Sequence, residues 1–269
     1  MTLQESYLYC RDVARTRAKN FYYSFVLLPN AQRDAMCAIY AFMRYCDDLS
    51  DEPGTATPAV MDQWRADLIN ALSGRFTEHP VWPAFHDTVQ RYKIPHKYFH
   101  DMIDGVSSDL EPRHMANFSE LYHYCYQVAS VVGLTIIHIF GFKDPEALVL
   151  AEKCGIAFQL TNIIRDVKED SGLGRVYLPG VDTLQSEAFR ECLRSYAARA
   201  EGYYTESMPL IGMVDRESRA SLWALIQIYY RLLHKIEASN FDVLEQRIRL
   251  STGEKLWVVV LAAVRKLTS

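Results

Sequence analysis

Glycine and proline are scarce in this chain, twelve and ten of 269 residues, and the prolines fall mostly between segments of helical hydrophobic spacing. No stretch alternates apolar and polar residues up to a turn signal, so the period of two that marks a half-buried strand is absent. No repeat or low-complexity tract occurs, which excludes a solenoid and a disordered tail. The six cysteines form no C-x-x-C pair, and the N-terminal "MTLQESYLYCRDVARTRAKN" is amphipathic where a secretory signal would be apolar. A reducing cytoplasmic setting is therefore expected. A Lys/Arg block is missing too, and the net charge is −4, which argues against a nucleic-acid partner and for a small one. The longest apolar run near an end, "LWVVVLAAV" (256–264), is about half of the ~20 residues a membrane span needs. It is read as a buried last helix, with peripheral contact to a membrane surface as the alternative.

What is present is helical. "AQRDAMCAIYAFMRYC" (31–46) sets Ala35, Ile39, Phe42 and Cys46 on one face, and 217–244 reads as one long helix rich in Leu and Ile. With 49% hydrophobic residues the core can be large. The expectation is an all-α bundle of ten or more helices, one domain over 1–269, with aromatic and aliphatic residues around a central cavity.

Two acidic clusters interrupt this apolar pattern. In "RYCDDLSDEPG" (44–54), Pro53-Gly54 must end the helix, so Asp47, Asp48, Asp51 and Glu52 crowd C-terminal turns where the helix dipole is already negative. Such a run repels itself unless it is solvated or met by a cation. In "CGIAFQLTNIIRDVKED" (154–170), Gln159, Asn162, Asp166 and Asp170 share a polar edge at spacings of three and four. Asp47 and Asp51 have the same spacing, so two helices of one bundle can each offer a carboxylate ladder. Hard oxygen donors without histidine or cysteine suit Mg²⁺ bound to a diphosphate and disfavour zinc. Arg44 and Arg165 lie within three residues of the ladders and carry the planar fork that suits phosphate oxygens. Either cluster alone is an ordinary solvated charge run; together, each ending an apolar helix, they point to one site.

"YAFMRYCDDLSDE" and "FQLTNIIRDVKED" resemble the two aspartate-rich motifs of the squalene and phytoene synthase family, and five further stretches match in order: "NFYYSFVLLP" (20–29), "MIDGVSSDL" (102–110), "YHYCYQVASVVG" (122–133), "GRVYLP" (174–179) and "IYYRLLHKIEASNFDVL" (228–244). The resemblance implies an all-α isoprenoid synthase fold and head-to-head joining of two prenyl diphosphates through a cyclopropyl product. It implies Mg²⁺ on Asp47, Asp51, Asn162, Asp166 and Asp170, with Asp48 beside them. It places Arg17, Lys19, Asn20, Arg44 and Arg165 on diphosphate, and Gln159 and Tyr229 at matching polar positions. "RAKN" departs from the His or Ser common at its first position.

A dry, aromatic-walled cavity is expected for the cation such a reaction forms, and Phe21, Tyr22, Tyr40, Phe42, Tyr124, Phe158 and Tyr229 are candidates. Tyr177 and Arg175, just after the second ladder, belong either to a lid over the diphosphates or to a plain helix connection. The eight histidines are assigned no role. The expected substrate is farnesyl diphosphate and the expected product presqualene diphosphate, without NADPH; the chain lacks a G-x-G-x-x-G fingerprint. The alternatives are phytoene synthesis from geranylgeranyl diphosphate, squalene synthesis with NADPH, a terpene cyclase, and a non-catalytic assembly or binding protein of the same superfamily.

Overall fold

The computed structural model describes residues 1–18, 21–51, 56–179 and 186–268, the side chains of Asp51 and Thr268 excepted. Lys19 and Asn20, expected on the diphosphate, lie outside the described residues, as does the side chain of the expected metal ligand Asp51. The protein is all-α, 76% helical. Its helices are α1 Leu3–Arg17, α2 Tyr22–Phe25, α3 Asn30–Asp51, α4 Pro58–Leu72, α5 Trp82–Tyr92, α6 Lys97–Ser107, α7 Phe118–Cys125, α8 Val131–Phe140, α9 Glu146–Gly172, α10 Glu187–Ser207, α11 Leu210–Met213, α12 Arg216–Ala238 and α13 Thr252–Thr268.

Prolines and hydroxyl or amide caps set the helix starts. Thr2 and Glu5 form a reciprocal capping box on α1; Thr57 and Asn117 accept from the first turns of α4 and α7. Pro58 and Pro83 sit in first turns, where a missing N–H removes no intrahelical bond. The expected long helix over 217–244 ends at Ala238, because Asn240 and Phe241 take left-handed φ of 52° and 58°.

Helices α7 and α8 are joined through one π-helical turn, Tyr126–Ser130, in which the Val131 N–H reaches the Tyr126 carbonyl. Two glycines admit this wider turn. A Cβ on Gly155 of α9 would lie 2.4 Å from the Ser130 Cα, and one on Gly105 of α6 would lie 2.7 Å from the Gln127 Cβ. The turn is thus seated between α6 and α9.

A two-rung parallel ladder was not expected from the sequence. β1 (Arg113–His114) pairs with β2 (Arg175–Val176), Arg113 opposite Arg175. It ties the segment after α9 to the segment after α6, and Tyr177 is thereby buried against Tyr124, rings stacked at 4.7 Å.

The last helix departs from expectation. Val258 and Ala262 of α13 are buried, but Leu256, Trp257, Val260, Val264 and Leu267 are each at least half exposed. A hydrophobic run reports only that a segment is apolar; here one face alone finds a neighbour. Two spans, Phe118–Phe140 and Glu146–Gly172, have the length and composition of membrane helices, yet more than half of each is buried within the bundle, as core helices are.

Candidate active site

A cavity of about 490 Å³ runs into the bundle, walled by α2, α3, α6, the π turn, α8, α9 and α12. Helix α3 is buried on two faces, and only one looks into this space. Met36, Ile39, Tyr40, Met43, Arg44, Asp47 and Ser50 line the cavity, whereas Phe42 packs behind the helix against Trp64, Trp82, Phe85 and Phe99. Phe42 therefore belongs to the core behind the wall. Tyr22 is not among the lining residues either and packs against Phe25 at 6.4 Å. The other expected aromatics do line the cavity. Phe158 and Tyr229 stack at 4.3 Å with planes 8° apart, and Phe21 leans on Tyr229 at 5.6 Å and Tyr40 at 6.3 Å. Burial, more than any neighbour, pushes the Tyr40 hydroxyl up to about 12.

The polar end of the cavity gathers the two acidic motifs. Asp47 from α3 and Gln159, Asn162, Asp166 and Asp170 from α9 all line it, with Arg17, Arg44, Arg165 and Arg175. Periodicity alone placed the α9 residues on one edge, and the edge faces inward. Asp48 stands apart, absent from the lining, its carboxylate bonded by Arg17 at 2.9 Å and also by Arg44. Its part is to hold two arginines, one from the end of α1 and one from α3, at the mouth.

Asp166 accepts from Arg165, whose Nε is 2.7 Å away, and from Arg247 at 2.9 Å. Arg247 also reaches Glu169 at 2.7 Å. Guanidinium groups of the chain itself thus meet Asp48, Asp166 and Glu169. Asp170 is raised to about 7, by burial first and then by the charge of Asp166.

Sequence reasoning missed Asp109 and Arg247. The carboxylate of Asp109 accepts from the hydroxyls of Tyr124 at 2.7 Å and Tyr177 at 2.9 Å, and its backbone carbonyl accepts from Arg175 at 3.0 Å. Burial raises the Asp109 carboxyl although both tyrosine hydrogen bonds oppose the shift. Its motif, "MIDGVSSDL", was visible, but nothing local in the sequence singles out its last aspartate.

Asn162 Oδ1 is buried and accepts no hydrogen bond, and Asp170 is held above the usual carboxylate range beside Asp166. An uncommitted amide oxygen near a carboxyl held above its usual range is what a hard cation would relieve, so Asp47, Asn162, Asp166 and Asp170 fit Mg²⁺. Below this polar end the walls are apolar, Phe25, Ile136, Leu222 and Leu225 among them. The cavity suits an anionic head with a long hydrocarbon tail.

Comparison with known proteins agrees with this geometry. A family described as squalene/phytoene synthase matches residues 14–254. A phytoene synthase of Arthrospira platensis is 34% identical over 98% of this chain and 94% of its own. A solved dehydrosqualene synthase superposes with a TM-score of 0.91 at 27% identity, covering 99% of this chain and 98% of that one. Squalene synthase HpnC from Alicyclobacillus acidocaldarius follows with a TM-score of 0.82 at 26% identity, covering 89% and 96%. The matched residues take in both acidic motifs and nearly every wall of the cavity, and the chain belongs to the squalene/phytoene synthase family.

Proposed function

We propose that this chain joins two molecules of farnesyl diphosphate head to head, giving presqualene diphosphate, diphosphate and a proton. The observation that supports this reading is the meeting of Asp47 from α3, Asp166 and Asp170 from α9 and four arginines at one end of an aromatic and aliphatic cavity. In the first step the C1–O bond of one substrate breaks and leaves an allylic cation. The C2=C3 double bond of the second attacks C1, and loss of a proton closes the cyclopropane ring.

Asp47, Asp51, Asn162, Asp166 and Asp170 are assigned to Mg²⁺, which when bound neutralises charge on the departing diphosphate. Arg17, Arg44 and Arg165 orient that diphosphate, and Lys19 and Asn20 are assigned with them. The faces of Phe21, Tyr40, Phe158 and Tyr229 wall the cation and exclude water. Gln159, Tyr124 and Tyr177 bound the reacting end of the cavity. No side chain is assigned as nucleophile, and the departing diphosphate takes the proton. No reductant is assigned, and the reaction is placed in the cytoplasm.

A second reading, coupling of geranylgeranyl diphosphate to a phytoene-type product, fits the relatives about equally well, since phytoene synthases recur among them at 33–34% identity. Incubating the purified protein with equal farnesyl and geranylgeranyl diphosphate and Mg²⁺, with and without NADPH, separates the readings by product mass. Presqualene diphosphate as the main product in both arms is the expected result. A forty-carbon product selects the second reading, squalene dependent on NADPH overturns the absence of a reductant, and no coupled product overturns both.

A further inference from the structure

We infer that Glu201, His234 and Glu237 form a site for a divalent transition-metal ion of the Zn²⁺ type, which clasps α10 to α12 outside the cavity. Glu201 comes from α10, and His234 and Glu237 stand three positions apart on one face of α12. One ligand atom from each of the three lies within 4.8 Å of the other two. Donors bonded to one such ion at ~2.1 Å are roughly 3–4 Å apart, so these part-exposed side chains close on it by small rotations. None of the three lines the cavity, and the site is separate from the carboxylates assigned to Mg²⁺.

The two carboxylates are poorly served by the chain itself. Among the described residues neither pairs with a lysine or arginine; the imidazole stands 3.8 Å from each, beyond hydrogen-bond reach. No donor among the described residues bonds the Glu237 side chain. Burial raises its carboxyl, and the charge of Glu201 adds to this against the opposing pull of His234. Two carboxylates thus share one imidazole, and a cation between them completes the set.

Tyr230 braces donors on both helices. Its hydroxyl donates to Glu201 Oε1 at 2.8 Å, and its ring meets the His234 imidazole edge to face at 4.4 Å. The same ring rests on Tyr204 at 5.1 Å, and Tyr204 on Phe158 of the cavity wall at 5.9 Å. A hydrogen-bonded carboxylate and an imidazole of fixed orientation are what metal ligands ordinarily have behind them. One nitrogen with two carboxylate donors suits Zn²⁺ and its first-row neighbours, where a set of oxygens alone suits Mg²⁺. Three protein ligands leave a coordination position to water. The inference stands on α10 and α12 and does not depend on the activity proposed above.

Calorimetric titration of the untagged full chain with Zn²⁺, in excess Mg²⁺ to compete for donor sets of oxygen alone, tests it. One ion should bind per chain. His234→Ala and Glu201→Gln should each weaken binding at least about tenfold, Tyr230→Phe should weaken it less, and Asp166→Asn should leave it unchanged. Zn²⁺ should also raise the thermal midpoint of the wild type and not that of His234→Ala, because it ties two helices of the native state. In the histidine-ring nuclear magnetic resonance spectrum, the signals lost in His234→Ala should be those that Zn²⁺ shifts. Failure of the wild type to bind, undiminished binding by His234→Ala, or binding lost in Asp166→Asn would each overturn the inference. Circular dichroism of each variant establishes that it is folded.

Discussion

At the scale of single residues, the two carboxylates that open the ladders have different neighbours and the same expected fate on substitution. Asp47→Asn and Asp166→Asn should each lower turnover by about 10³-fold or more, since they remove the negative charge that would hold a cation where leaving-group charge must be stabilised, and leave the far-ultraviolet spectrum unchanged. Near-normal turnover of a folded Asp166→Asn protein would sink the two-ladder assignment. Asp170 offers a separate test in stability. Its carboxyl titrates near 7 when folded, above the 3.8 of an ordinary aspartate, so the folded state holds the extra proton. In metal-free protein this side chain contributes no penalty below about pH 4 and an increasing one as pH rises toward 7. Asp170→Asn should therefore stabilise the metal-free protein at pH 8 by on the order of 1–3 kcal/mol and by roughly a quarter of that at pH 4.5, read from urea denaturation in a chelator. An equal effect at both pH values would show that the group is not perturbed. Much of this was legible beforehand, because spacings of three and four place α9 side chains on one edge whatever surrounds the helix. Asp48 was not, since its neighbour Asp47 sits about 100° away around the helix and only the packed partners decide which of the two faces inward. Arg247 and Asp109 were invisible for a related reason: their partners Glu169 and Tyr177 are 78 and 68 positions away.

At the scale of elements, the π turn is the part most dependent on residues it does not contain. Ala at 155 would press a methyl group against the Ser130 backbone, whereas Ala at 105 would meet the side chains of Gln127 and Val128 first. Gly155→Ala and Gly105→Ala should each cost about 2–3 kcal/mol, since the Gln127 Cβ is fixed to its backbone and can no more give way than the Ser130 backbone can. Urea midpoints at constant slope would measure both, and a near-neutral substitution at either position would contradict the packing described. Helix existence was readable from hydrophobic period and proline placement. The ends of helices and the direction of their faces were not. Phe42 and Ile39 both belong to the apolar pattern of α3, yet one supports the wall from behind and the other lines the cavity, a distinction made by the tryptophans of α4 and α5. The ladder between β1 and β2 escaped notice because two residues are too few to show any period.

At the scale of the whole molecule, charge balance links ligand binding to stability. Guanidinium groups already occupy Asp48 and Asp166, so a divalent cation alone competes with arginine, and a diphosphate alone meets carboxylates. Together they should raise the thermal midpoint by more than the sum of their separate shifts, with about 2.7 kcal/mol expected when the pair is present at a hundred times its dissociation constant. Strictly additive shifts with Mg²⁺ and a non-ionisable prenyl diphosphate analogue in a melting assay would count against the shared site. The aromatic cluster behind α3 has an optical consequence. Trp64 stacks on Phe42 at 5.6 Å and touches Tyr45 at 4.6 Å, two positions before Asp47, while Trp82 lies 4.3 Å from Trp64. Both indoles are shut off from solvent and their N–H groups find no acceptor, so they should emit at short wavelength. Any tilt of the last turns of α3 changes their surroundings, and the protein carries on the dry side of its catalytic wall a fluorescent gauge of what happens on the other.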